Sequence, residues 1–183
     1  NGIDLSGEGG LVWTKARDYG VGHGLVDTVR GNTKYLEANG ADAEATTSVG
    51  ITAFNSTGYN LGADDTWKFN VSNSYVSEYV SWTFRKAPKF FDIVTYTGTG
   101  SAQNISHNLG SVPGLIITKR LDNSSDWAVY HRSYGSGGPA GIINGTDAAF
   151  SLSTYWNNTD PTSTQFSLGS FANVNTSGGS YVA

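Results

Sequence analysis

The chain repeats itself, and that restricts its fold more than any other feature. Gly10-Leu11-Val12-Trp13-Thr14-Lys15 returns as Gly114-Leu115-Ile116-Ile117-Thr118-Lys119. An Arg and an Asp follow in both copies, Arg17 and Asp18 first, then Arg120 and Asp122. Val26 to Arg30 aligns with Val129 to Arg132, and Asn39-Gly40-Ala41-Asp42 echoes Asn144-Gly145-Thr146-Asp147. Phe54 through Leu61-Gly62 has its partner in Phe166-Ser167-Leu168-Gly169, and Tyr79-Val80-Ser81 in Tyr181-Val182-Ala183. Gly10 and Gly114 stand 104 residues apart, Tyr79 and Tyr181 102 apart. Matches in one order at nearly one offset predict two copies of a single supersecondary plan.

The local pattern of each copy is that of short strands between turns. Val80, Trp82 and Phe84 fall on one face of an extended segment, with Tyr79, Ser81 and Thr83 on the other. This period of two marks a half-buried strand. Glu78 interrupts the apolar face that Val76 would extend, so the strand is expected to begin near Tyr79. Asp92-Ile93-Val94-Thr95-Tyr96-Thr97 is a β-branched run ended by Gly98, and Leu109 to Gly114 reads as a turn. The 24 Gly and the many Asn, Ser and Thr supply turns, while runs of helix formers are scarce. Asn39 to Thr47 is expected to form at most one helical turn. The fold expected is all-β: two tandem antiparallel β-sandwich (jelly-roll-like) modules related by internal duplication, over residues 1–87 and 88–183. Pro88, which holds Ala87 extended, marks the short junction. The second copy has a leading strand at Phe91 to Thr97 for which the first has little room before Gly10. The first copy in turn runs on through Trp82 and Phe84, beyond the point matching Ala183. The expectation is a chain cut from a longer array.

Charge and motifs exclude several classes of function. A net charge of −4, with Lys and Arg scattered singly, argues against nucleic acid as a partner. No apolar run approaches the ~20 residues of a membrane-spanning helix, and no signal-peptide pattern opens the chain. There is no Cys and hence no thiolate chemistry. His23 lies in a Gly-rich loop, His107 at a turn entry and His131 on a strand, none beside a marked carboxylate partner. No nucleophile elbow, phosphate-binding loop or zinc-protease helix is present. Asp64-Asp65 and Asp122 to Asp126 offer hard oxygens without the spacing of a calcium loop, and read as self-capping turns. Sequons at Asn55, Asn70, Asn104, Asn123, Asn144, Asn157 and Asn175 follow from composition. The expectation is a protein that is not an enzyme and carries neither metal nor cofactor. Carbohydrate contact has the most physical support, through Trp67, Tyr130, Tyr134, Tyr155 and Trp156 in or beside polar loops. Amphipathic aromatics of this kind also line interfaces between modules or subunits.

The junction Tyr79-Val80-Ser81-Trp82-Thr83-Phe84-Arg85-Lys86-Ala87-Pro88-Lys89-Phe90-Phe91-Asp92-Ile93-Val94-Thr95-Tyr96-Thr97-Gly98 resembles repeat modules in structural proteins of marine bacteriophages. His107 to Gly114, Trp127 to Ser133, Trp156 to Thr164 and Asn175 to Ala183 are similar to further signatures of those modules. The likeness covers nearly all of the second copy and, more loosely, the first, where Asp64 to Phe69 and Ser74 to Ser77 depart from it. It implies a virion protein of the tail-fibre or appendage type, with other virion proteins, further copies of itself and host-surface polysaccharide as partners. A capsid decoration or head-fibre protein, a carbohydrate-binding or depolymerising module, and a secreted adhesin are the alternatives. The resemblance supplies no catalytic or binding residues.

Overall fold

The computed structural model describes residues 2–63, 68–70 and 78–183. The protein is all-β, built of several small antiparallel sheets, and divides into two compact units. Unit 1 comprises residues 1–40 and 44–86, unit 2 residues 41–43 and 87–183.

In unit 1 the strands are β1 (Gly10–Ala16), β2 (Gly24–Asp27), β3 (Lys34–Tyr35), β4 (Ala45–Thr46), β5 (Ile51–Asn55), β6 (Gly58–Leu61) and β7 (Tyr79–Arg85). They form a sheet in the order β2-β1-β7 and two hairpins, β3–β4 and β5–β6. In β1 every second residue, Gly10, Val12, Thr14 and Ala16, is buried, as alternation of a pleated strand requires. Val12 joins Leu5, Val26, Ile51 and Phe69 in the core. After β2 the chain turns because Asp27 Oδ1 accepts from the amides of Val29 and Arg30, both at 2.9 Å. Arg30 then reaches back to Asp27 and to Glu44 Oε2, the latter at 3.1 Å, in an ion-pair network with almost no exposed side-chain surface on Arg30 or Asp27.

In unit 2 the strands are β8 (Thr95–Thr97), β9 (Gln103–Ser106), β10 (Leu115–Arg120), β11 (Ala128–His131), β12 (Ala140–Ile142), β13 (Gln165–Leu168) and β14 (Ser180–Val182). Two single-turn helices are added, α1 (Ser153–Trp156) and α2 (Ala172–Asn175). The main sheet runs β12-β11-β10-β14-β8, and β13 pairs with β9. Ile105, Ile116, Tyr130, Trp156, Phe166 and Leu168 belong to one core cluster.

Several sequence expectations meet their test in these elements. The strand expected near Tyr79 begins there, while Val76 lies outside the described residues. Its expected buried face is only half-covered: Val80 and Phe84 are partly buried, while Trp82 keeps 45% of its surface exposed. The strand at Asp92 is shorter than the β-branched run, starting only at Thr95. Asn39 to Thr47 contains no helix, and its Ala45–Thr46 pairs with Lys34–Tyr35. The helical turns fall instead at α1 and α2, where buried Trp156 and Val174 anchor each turn to the core; tertiary packing, not propensity, selects them. Register also corrects one repeat match. Val26 faces Val12, and Tyr130 faces Ile116, so setting Gly10 against Gly114 sets Val26 against Tyr130 rather than Val129. A slip of one residue reverses which face a side chain occupies.

Candidate functional site

The aromatic residues singled out in the sequence do not form one surface. Tyr130, Tyr155 and Trp156 are buried, with Tyr130 packed edge-on to Trp156 at a ring separation of 5.9 Å. Tyr155 stacks on Phe171 at 4.4 Å and meets the ring of Phe150 edge-on. These three are core residues with almost no exposed surface, and of them only Tyr130 borders a cleft. They looked exposed in the sequence because Asn, Ser and Thr surround them, yet α1 turns Tyr155 and Trp156 inward. Tyr134 alone of the described set is exposed, tilted against His131 at 5.7 Å. Trp67 lies outside the described residues.

A different aromatic pair does reach the surface. Trp13 on β1 and Trp82 on β7 are direct cross-strand partners, their rings edge-on at 5.7 Å. Trp13 Nε1 donates to His23 Nδ1 at 2.8 Å, which fixes the indole against the imidazole. Burial and the nearby Lys15 ammonium hold the His23 pKa below its usual value, so this ring favours the neutral form that can accept. Trp13, Trp82 and His23 make an amphipathic patch with one donor already committed. Sequence reasoning passed over this pair because Leu11, Val12 and Trp13 form an unbroken apolar run, and only the burial pattern of β1 shows that Val12 and Thr14 point inward and Trp13 outward.

Two concavities lie elsewhere. In unit 2 a cleft of about 250 Å³ is lined by Val112, Tyr130, Arg132, Gly135, Ser136 and Asp160. Its charged groups are engaged in fixing backbone. Arg132 donates to Val112 O at 3.2 Å, and Asp160 accepts from Ser136 Oγ at 2.6 Å and Gly137 N at 2.9 Å. Those two donors keep the Asp160 carboxyl below the ordinary carboxylate range. In unit 1 an open groove of about 700 Å³ runs along β6, lined by hydroxyls and amides of Thr52, Asn55 and Asn60 with Tyr59, Leu61 and Ser81.

The buried titratable and amide groups are likewise tied to the scaffold. Lys119 has no exposed surface, and its Nζ donates to Arg120 O at 2.8 Å and Ala41 O at 3.2 Å. Burial pushes its pKa down to about 8, against the pull of Asp42 and Asp126. Arg120 grips both oxygens of Asp122 at 2.9 Å, which with the Ser180 amide lowers that carboxyl to about 2. Asn144 and Asn175, two of the sequon residues, spend their amides inside the fold. No group of three or more candidate metal-ligating residues occurs among the described residues.

A family model described as a domain of unknown function (DUF7483) matches residues 3–183. The chain belongs to the DUF7483 family. No curated protein and no solved structure matches it. The DUF7483 match runs through both compact units, so the patch of unit 1 and the cleft of unit 2 lie within a single family region. No helix of the described DUF7483 residues is long and apolar enough to cross a membrane.

Proposed function

We propose that this chain is a bacteriophage virion structural protein of the tail-fibre or appendage type. It consists of two tandem antiparallel β-sandwich modules, residues 1–87 and 88–183, related by duplication. The particle surface is its location, further copies of itself and other virion proteins are its partners, and its role is architectural rather than catalytic. The observation that carries this reading is that both units are held by the same side-chain and backbone ties. Val80 faces Lys15 across β7 and β1, and Val182 faces Lys119 across β14 and β10. Asn39 Oδ1 accepts from His23 N, and Asn144 Oδ1 from Trp127 N, each at 2.9 Å and each just before the second strand of its sheet. Gly62 N donates to Gly50 O and Gly169 N to Tyr155 O, both at 2.8 Å. Asn70 Nδ2 then donates to Gly62 O, as Asn175 Nδ2 does to Gly169 O. A scaffold that spends its buried polar groups on repeated ties suits a protein whose product is shape.

Antibodies raised against the chain, applied to purified phage particles whose genomes encode it, test the reading. Gold on tail appendages, together with self-association of the chain in sedimentation, is the expected result. Label on the head points to the decoration-protein alternative, and unlabelled particles overturn the virion assignment.

The Trp13–Trp82 pair favours a second reading, in which the first module also contacts host-surface polysaccharide. Indole faces stack on sugar rings, and the exposed Trp82 and half-buried Trp13 stand on a sheet rather than a loop. A glycan array with the intact chain and with Trp82→Ala decides it. Binding that vanishes in the variant supports the contact, and an array without signal removes it.

A further inference from the structure

The cleft of about 250 Å³ in unit 2 is bordered by a hydroxyl that the fold does not use. Tyr130 is only 4% exposed, yet among the described residues its hydroxyl has no hydrogen-bond partner. Three other tyrosines of the same unit are tied. Tyr96 donates to Val174 O at 2.9 Å, Tyr181 donates to Ala172 O at 2.7 Å, and Tyr155 accepts from Asn173 Nδ2 at 3.3 Å. A buried hydroxyl left unpaired is costly, and a ligand oxygen in the cleft would offset that cost.

Two charges flank this hydroxyl. Burial first, and then the Asp160 carboxylate, hold the Tyr130 phenol above its usual pKa, while the Arg132 guanidinium acts against them. Arg132 is exposed, and among the described residues its guanidinium makes one hydrogen bond, from Nη2 to Val112 O. The group lies face-down on Gly114, where a Cβ would stand 2.8 Å from Nη2, 2.9 Å from Nε and 3.1 Å from Cζ. Gly114 is not among the glycines of positive φ, so its missing side chain gives the guanidinium space rather than giving the backbone freedom. Asp160, kept ionised by its bonds from Ser136 Oγ and Gly137 N, retains acceptor positions on both oxygens.

The β plan itself does not call for these groups. Thr28 N donates to Gly10 O as Arg132 N does to Gly114 O, each at 3.0 Å, which sets Thr28 against Arg132 and Val26 against Tyr130 under the proposed equivalence of the units. Val26 is fully buried, and the Thr28 hydroxyl accepts from Gly10 N. Unit 1 thus has a spent hydroxyl and an apolar side chain where unit 2 has an open guanidinium and a free phenol.

We infer that the unit 2 cleft binds one acidic sugar residue, a hexuronic acid or a similarly carboxylated ring. Arg132 pairs with the sugar carboxylate, while Tyr130 and Asp160 bond ring hydroxyls. The Asp160 charge disfavours a phosphate dianion. The cleft is smaller than the ~300–1,000 Å³ of sites for drug-sized ligands, which suits a single ring. The site belongs to unit 2 and depends on neither the virion role nor the Trp13–Trp82 contact.

The experiment titrates the methyl glycosides of glucuronic and galacturonic acid into the intact, isotope-labelled chain, with methyl glucoside and inorganic phosphate as comparison ligands. Saturable amide shifts at Tyr130–Arg132 and Gly135–Gly137 are expected with at least one uronide, and affinity about tenfold or more weaker for glucoside and phosphate. Arg132→Gln, at an exposed side chain, is expected to lower uronide affinity about tenfold or more and leave glucoside affinity unchanged. Tyr130→Phe keeps the ring, and should weaken uronide binding without lowering the thermal midpoint, because the hydroxyl it removes bonds no described residue. The site is overturned if neither uronide gives saturable shifts at these amides up to about 100 mM. It is equally overturned if glucoside or phosphate binds there as tightly as the uronides, or if Arg132→Gln leaves uronide affinity unchanged.

Discussion

Asn175 holds the carbonyl of Gly169 at 2.6 Å from a position with no exposed surface. The same amide donates to Ser101 O, while its Oδ1 accepts from Thr99 N and Gln103 Nε2. One side chain therefore ties together the turn after β8, the start of β9, the end of β13 and α2. Asn175→Ala leaves several buried groups without partners and is expected to destabilise by about 3 kcal/mol, each orphaned group costing roughly 1–3 before relaxation. Asn70→Ala removes the bond from its amide to Gly62 O at a partly buried site, and about 1 kcal/mol is expected. Urea unfolding of the two variants, read separately for each unit, measures the difference.

Gly24 is required by Phe69. A Cβ at Gly24 would stand 2.4 Å from Phe69 Cε1 and 2.9 Å from Thr14 Oγ1. Under the proposed equivalence of the units, Ala128, opposite Thr118, takes the place of Gly24, opposite Thr14, and buried Val174 that of Phe69. The larger ring goes with the smaller strand residue. Gly24→Ala is expected to cost about 1–3 kcal/mol by overpacking. Adding Phe69→Val should recover part of that loss, so that the double variant is more stable than the sum of the singles predicts. Equal additivity in thermal unfolding would count against this account.

Arg30 sits between two acids. Its guanidinium bonds Asp27, Glu44 and Leu25 O with only 4% of its side chain exposed. Arg30→Ala leaves the buried Asp27 carboxylate without its charged partner, and Glu44 with Lys34 alone, and is expected to destabilise by about 3 kcal/mol. Arg30→Met with Asp27→Asn and Glu44→Gln removes the charges together and should lose far less. Calorimetric midpoints of the two variants give the comparison directly.

Lys119 makes stability depend on alkaline pH. Its folded pKa of about 8 lies below the ordinary value of 10.5. Between those values the unfolded chain binds more protons than the folded one, so stability rises as pH increases through this window. From pH 8 to 9.5 the gain expected is about 1–2 kcal/mol. Above that range Tyr96, whose phenol is held well above its usual value by burial, begins to oppose it. Lys119→Met should flatten the rise, and denaturant midpoints across the pH series show whether it does.

His23 gives a second, acid-side dependence. Its folded pKa is lowered, so the unfolded chain takes up the proton first and the folded form loses relative stability as pH falls below the usual 6.5. Protonation also removes the acceptor that holds Trp13 Nε1. A change in tryptophan fluorescence centred below pH 6.5, absent in His23→Gln, is the expected outcome.

The sequence by itself determined the all-β class and the start of the strand at Tyr79. These follow from periods of two and from turn chemistry, which act over a few residues and are written in local order. It also carried the repeated segments from which the two-module proposal is drawn. It could not say which aromatics were exposed. Trp156 and Trp82 both neighbour Ser and Thr, yet one has 1% of its surface accessible and the other 45%. That difference arises because α1 folds Trp156 into the core cluster with Tyr130 and Leu168, whereas Trp82 lies beside Trp13 on the face of its sheet opposite buried Val12 and Thr14. Nor could local order show that Asn39 and Asn144 make the same bond, or that Phe69 needs a glycine opposite. Those facts depend on which strand lies beside which, and only the tertiary structure decided them.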